Sequence, residues 1–357
     1  MSSTSISTPT PVSRHTAAIG LAILVVVAAT GLSWAKWLPY AQRAGAVAAS
    51  GSWKGSSLLT TGAGENPFAR AWDFTLAYGS AVWKALLVAL VVATVLDVLV
   101  PRQWLVRALG RRTPLGGSLA GGAASLPAMM CTCCTAPLAV TMRKAGVPLP
   151  AALAFWLGNP VLNPAVLVFL AILAPPSWVL VRVGVGILLV VGFSALVGVV
   201  ARRGGRTAEL PAAQEAVQAA DEPVVWSQVP RRLLVRLARL AVVLVPEYLV
   251  VVFLVGLVGA PLGYLLGHGG ASAVLLAALI AVVLVLPTAG EIPILLGLAA
   301  AGASGGVLGA LLIALPAISL PSAVMVGRVL GWRATAATAG ATVVAGLVAG
   351  GILSVVA

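Results

Sequence analysis

The sequence predicts an all-α integral membrane protein of about seven transmembrane helices plus two re-entrant helical hairpins, arranged as an inverted-topology internal repeat. Three observations carry that expectation. Hydrophobic residues fill 60% of the 357 positions and charged residues 9%, with a mean hydropathy of +1.07, which leaves too little polar surface to cover a soluble domain. Apolar runs long enough to cross about 30 Å of hydrocarbon recur along the chain. Two further apolar stretches, 115–146 and 271–302, are interrupted by Gly, Pro and polar residues.

In chain order, residues 1–16 read as a cytoplasmic tail and 17–35 as an extra N-terminal transmembrane helix. That helix is expected to be retained, because no clear small-x-small cleavage site precedes Trp34, Ala35, Lys36 and Trp37. Residues 36–73 are expected to form an extracytoplasmic loop. The first repeat is placed at 74–201, with spans at 74–100, 149–172 and 177–201 around the stretch 115–146. Residues 202–229 carry Glu209, Glu215, Asp221 and Glu222 without apolar periodicity and read as a cytoplasmic linker. The second repeat is placed at 230–357, with spans at 233–258, 305–326 and 335–356 around the stretch 271–302.

Basic residues set the expected orientation. Arg102, Arg107, Arg111 and Arg112 form one cluster, and Arg202, Arg203, Arg206, Arg231, Arg232, Arg236 and Arg239 another, as cytoplasmic loops do. The spans 149–172 and 177–201 connect these clusters only if 115–146 enters and leaves on the cytoplasmic side, which makes it a re-entrant hairpin. By the same parity 271–302 starts and ends outside. The net charge of +13 therefore reflects topology, and nucleic-acid binding is not expected.

A shift of 156 residues lays Pro137, Ala145, Gly146, Ala154 and Pro160 onto Pro293, Ala301, Gly302, Ala310 and Pro316. The same shift carries the spans of the first half onto those of the second, with an odd number of crossings between them. Inverted repeats with broken helices at corresponding positions are a pattern of secondary transporters, whose sites lie near the bilayer midplane where the broken segments meet. Here those segments are 131–137 and 287–293, and Pro137, Gly146, Pro160, Pro293, Gly302 and Pro316 are the expected helix breaks.

All three cysteines fall at Cys131, Cys133 and Cys134. With Pro137 expected as the first residue of a half-helix, they sit just ahead of a positive dipole end, which favours thiolates. Thiolates bind soft partners such as trivalent metalloids, Cu(I) or Zn, so the trio is a substrate-binding and metal-ligating candidate. Packing as small buried hydrophobes is the competing reading, for these and for Met129 and Met130.

Residues 127–164, with Cys131, Thr132 and Cys133 followed by Pro137, Gly146, Asn159, Pro160, Asn163 and Pro164, resemble the predicted permeases of the ArsP/YraQ type, which include trivalent organoarsenical efflux permeases. The resemblance covers most of 74–357 and implies a C-x-C-x-x-x-P hairpin at 131–137 with its counterpart at Thr288–Pro293. The family pattern has Gly where this chain has Cys134.

Among ionisable groups inside the expected membrane region, Glu291 lies in register with Thr135 at the tip of the second hairpin and is the first candidate for proton or substrate coupling; Glu247, after Pro246, is the second. Asn159 and Asn163 are expected to line the pathway or to satisfy carbonyls freed by the prolines that follow them. Asp97 is expected to pair with a loop base, Lys84 and Arg182 to snorkel without a role, and Trp34, Trp37, Trp53 and Trp72 to form an interfacial belt. His15 and His268 fall outside the spans, so a mixed Cys/His metal site is not expected.

The expected function is a multi-pass permease of the inner (cytoplasmic) membrane, exporting a small soft-electrophile, metal or metalloid species with proton coupling. It needs no cofactor, and no P-loop marks it as an ATPase. Its partners are a small-molecule or metalloid substrate and membrane lipid, and self-association into a homo-oligomer is compatible with the sequence. The alternative from another class is a membrane thiol-disulfide oxidoreductase using the same cysteines, disfavoured by the burial of the cysteine motif in a hairpin flanked by the inverted repeat.

Overall fold

Inside hydrocarbon a chain has no water to satisfy its backbone, so apolar segments become helices that close their own hydrogen bonds. The computed structural model describes residues 14–53, 66–203, 226–258 and 270–356, and every regular element among them is helical. Most of the expected tail and linker lie outside the described residues, as do His268 and the side chain of His15.

The first helix, α1 (Arg14–Leu32), does not stop near residue 35. A π-helical turn at Ser33–Trp37 carries it into α2 (Leu38–Ser50), and Gly51 ends it in the left-handed region. Residues 36–50 of the expected outer loop are therefore helix. Pro39 does not break the run, because it falls in the first turn of α2, where its missing donor costs little. After the undescribed loop, α3 (Pro67–Leu99) crosses in one piece, capped by the Asn66 side chain on the Phe68 amide.

A short α4 (Arg102–Leu109) leads to α5 (Pro114–Ser125) and α6 (Thr132–Lys144). At 12 and 13 residues these helices are each about 20 Å long, too short to span alone. The helix pair α7 (Leu149–Val161) and α8 (Pro164–Leu173) forms one span interrupted at Leu162 and Asn163. Then α9 (Pro176–Ile187), a π-helical turn and α10 (Ser194–Arg203) form another.

The second half opens with α11 (Val229–Val258), followed by the short helices α12 (Ala271–Val283) and α13 (Glu291–Ala300). The expected span at 305–326 is not one helix. It divides into α14 (Gly305–Ala317) and α15 (Leu320–Leu330), bent by 52°. The terminal helix α16 (Trp332–Val356) closes the chain. Among the described residues six helical runs are long and apolar enough to cross a membrane, seven if the bent pair counts as one span.

The bounds of α7 and α8 recur in α14 and α15 at an offset near 156 residues. The N-caps Pro148 and Asn163 correspond to Ser304 and Ser319. Both short helices α6 and α13 also end alike. Val147 donates to Met142 O (3.1 Å) and Ala303 to Leu298 O (2.9 Å), across Gly146 at φ +93° and Gly302 at φ +84°. That reversal needs a left-handed residue, and only Gly adopts it freely.

Small residues let the helices pack closely. A Cβ on Gly121 would strike the backbone of Ala151, where α5 crosses α7. The long helices α3 and α11 pack on each other, and α15 of the second half packs on α6 of the first.

Candidate functional site

The chain turns through Leu126–Ala128 and Met129, which takes a left-handed φ of +48°, before α6 begins at Thr132. Cys131 is thus the N-cap of α6, and Cys133 and Cys134 lie in its first turn. This corrects the expected start at Pro137, which sits inside α6. Pro160 and Pro316 likewise fall within α7 and α14, near their ends, and Pro293 is the third residue of α13. Pro293, in a first turn, lacks a donor that is unpaired there anyway, whereas Pro137, Pro160 and Pro316 each leave the carbonyl four residues earlier without its helical donor while the helix continues past them. The actual breaks come at the caps, Asn163 and Ser319.

The three sulfurs gather at the start of α6, all buried and within 4.8 Å of one another. Cys131 Sγ lies 3.1 Å from both Cys133 Sγ and Cys134 Sγ. Metal–sulfur bonds of about 2.3 Å let three sulfurs this close share one soft ion. Two phenols flank Cys133, Tyr78 Oη at 3.2 Å and Tyr248 Oη, which donates, at 3.4 Å. They arrive on α3 and α11, one from each half.

Next to the sulfurs is a small cavity lined by Cys131, Thr132, Thr288, Glu291 and Ser319, with Pro160, Leu286, Pro287, Leu315 and Pro316 as its apolar walls. Segments of both halves face it. Thr132 and Ser319 bridge the halves by a hydroxyl contact of 3.0 Å.

Glu291 is 3% exposed and forms an ion pair with Arg182, whose Nη2 lies 2.9 Å from Oε1. Arg182 was expected to snorkel; it is instead fully buried. Its remaining donors explain why. Nε donates to Val161 O (3.0 Å) and Nη2 to Pro160 O (3.0 Å), two carbonyls left open where α7 ends. Nη1 reaches Leu312 O (3.5 Å), the carbonyl that Pro316 deprives of its helical donor. In the first half the matching task falls to Thr135, whose hydroxyl reaches Trp156 O (3.5 Å), the carbonyl opened by Pro160.

Asn159 and Asn163 are buried but do not serve freed carbonyls. Each accepts with Oδ1: Asn159 from the Met130 amide (3.1 Å), Asn163 from Ala165 (3.1 Å) and Val166 (3.4 Å) as the cap of α8. Neither lines the small cavity. Glu247 stands apart, paired with Arg328 at 3.0 Å in a half-exposed bridge. Asp97 pairs with Arg236 at 3.7 Å. Trp37 donates to Pro127 O and Trp53 packs edge-on to Phe169, while Trp34 and Trp72 are exposed.

Lys36 is the other residue not anticipated here. It is 5% exposed, and its Nζ donates to Thr288 Oγ1 and Tyr40 Oη, both at 3.1 Å. For Lys36 and Arg182 the available signal was a cation within an apolar run, which has to find a partner when buried. For Tyr78 and Tyr248 no sequence signal existed, since their meeting point depends on how α3 crosses α11.

A family model described as "Predicted permease" (ArsP_1) matches residues 67–355. The UPF0718 protein YraQ of Escherichia coli (strain K12) is 36% identical over 343 residues, covering 93% of this chain and 93% of that protein. No solved structure matches.

Proposed function

The chain belongs to this predicted permease family, and from that premise we propose that it is a secondary transporter exporting a small soft-electrophile or metalloid species, trivalent organoarsenicals among them, across the inner membrane. The observation that carries the proposal is the shared cavity. Cys131, at the head of a thiol trio, and Glu291, a membrane-buried carboxylate, line the same space from opposite halves of the chain. A soft cargo exchanges between sulfurs there without leaving the site, which suits passage better than permanent coordination.

In this reading the two halves are inverted repeats, and the short helix pairs α5/α6 and α12/α13 are re-entrant hairpins whose tips meet at the cavity. The recurring element bounds, the paired Gly146 and Gly302 turns and the lengths of the short helices support it. Glu291 couples movement to protons. Its ionised form holds Arg182, and through Arg182 the ends of α7 and α14; protonation of the carboxylate removes that charge and loosens the join between the halves. Glu247 lies at a half-exposed bridge and takes at most a secondary part.

The test is accumulation of methylated and phenyl trivalent arsenicals, with arsenite and Cu(I) as comparators, in everted vesicles carrying wild type or Cys133→Ser. Uptake that depends on Cys133 and on an imposed pH gradient supports the proposal. Wild-type uptake of none of these, or uptake unchanged in Cys133→Ser, overturns the thiol site.

A further inference from the structure

The buried centre of the protein holds one more cation than carboxylate among the described residues. Its buried ionic groups among the described residues are Lys36, Arg182 and Glu291, and Arg182 already takes Glu291. The other described carboxylates are accounted for elsewhere: Asp97 and Glu247 hold Arg236 and Arg328, and Asp73 is exposed. Among the described residues, Lys36 thus has hydroxyl partners and no carboxylate. Burying an ammonium against two neutral hydroxyls is costly where an amide would make the same bonds, so a purely structural staple explains Lys36 poorly.

The position of Lys36 gives the charge a use. Its two partners belong to two different cavities. Thr288 lines the small polar space with Cys131, while Tyr40 lines an adjacent apolar pocket of about 220 Å³ with Trp37, Phe169 and Met129. Lys36 sits on the π-helical turn Ser33–Trp37, a local widening that re-aims side chains and recurs at functional sites.

We propose that Lys36 is a specificity-determining residue of the cargo site, selecting organic anions that join a thiophilic atom to a small apolar body. The sulfurs take the soft atom, the pocket at Tyr40 takes the apolar body, and Lys36 pairs with the anionic group. This inference rests on the thiol site proposed above and narrows its substrate class. It also gives the N-terminal helix, which lies outside the residues matched by the family model, a part in recognition.

The test compares two aryl mercurials that differ by one charge, 4-(hydroxymercuri)benzoate and phenylmercury hydroxide. Each exchanges its hydroxide for a cysteine sulfur with release of water, and the chain's cysteines are confined to the trio. Labelling rates of the full chain in membranes are measured for wild type, Lys36→Arg and Lys36→Met. The expected result is an anionic-to-neutral rate ratio that falls on the order of tenfold in Lys36→Met and is kept in Lys36→Arg, the size of one charge interaction across about 10 Å at intermediate dielectric. Lys36→Gln, which keeps a hydrogen-bond donor without the charge, repeats the comparison if Lys36→Met does not accumulate. A ratio unchanged in the neutral variants overturns the proposal. A shifted ratio with no flux of either probe in sealed vesicles removes transport and retains Lys36 as the anion-selecting residue.

Discussion

Arg182 Nη2 lies 2.9 Å from Glu291 Oε1, and the pair is sealed from solvent between the two halves of the chain. The guanidinium does more than neutralise a carboxylate. Its donors also close carbonyls at the ends of α7 and α14, so one side chain joins both broken helices to the tip of α13. A lysine has neither the planar fork nor enough fixed donors for this task.

Arg182→Met is therefore expected to destabilise the protein by about 3–5 kcal/mol, since it strands a buried carboxylate and opens three carbonyls. Glu291→Gln should cost less, because the guanidinium keeps its carbonyl partners. Thermal melting in detergent checks the order, and a double variant more stable than Arg182→Met alone confirms that the stranded charge is the cause.

Glu291→Gln is expected to abolish the response of arsenical uptake to an imposed pH gradient while leaving Cys133-dependent binding in place. Flux in everted vesicles with and without the gradient, alongside equilibrium binding to the purified protein, separates the two. A gradient response that persists in the variant would move coupling away from this carboxylate.

Cys131→Ser and Cys133→Ser should each lower uptake at least about tenfold, because a hydroxyl is a poor ligand for a soft centre. Their melting temperatures should stay close to wild type, as the side-chain volume changes little. A large fall in stability with unchanged uptake per folded molecule would return the trio to simple packing.

Thr132→Val and Ser319→Ala each remove one side of the 3.0 Å hydroxyl contact between halves. Each is expected to cost about 0.5–1.5 kcal/mol. A double-mutant cycle should give a coupling energy well above zero; additive losses would mean the two hydroxyls do not interact in the membrane.

Gly146→Ala and Gly302→Ala place a Cβ at φ values of +93° and +84°. Each is expected to destabilise by about 1–2 kcal/mol, with similar size because the two turns share one hydrogen-bond pattern. Melting curves of the two single variants check both the sign and the match.

Composition and periodicity determined the class by themselves: a chain this apolar must satisfy its backbone in helices, and the run lengths placed the spans at 74–100, 149–172, 177–201, 233–258 and 335–356 to within several residues. The cysteine cluster was legible because its three sulfurs fall within four residues, but their meeting depends on Cys131 standing as the extended N-cap of α6. Local rules failed where a helix end depended on its cap. Pro137 and Pro160 read as breaks, yet Cys131, Asn163 and Ser319 decide where α6, α8 and α15 begin. The tertiary structure alone decided the partners of the buried charges. Arg182 and Glu291 are 109 residues apart, Lys36 and Thr288 252, and nothing in a local window encodes such meetings. They follow from how small residues let the helices cross, which sets two buried cations against Thr288 and Glu291, residues that line one cavity, and keeps water away from both.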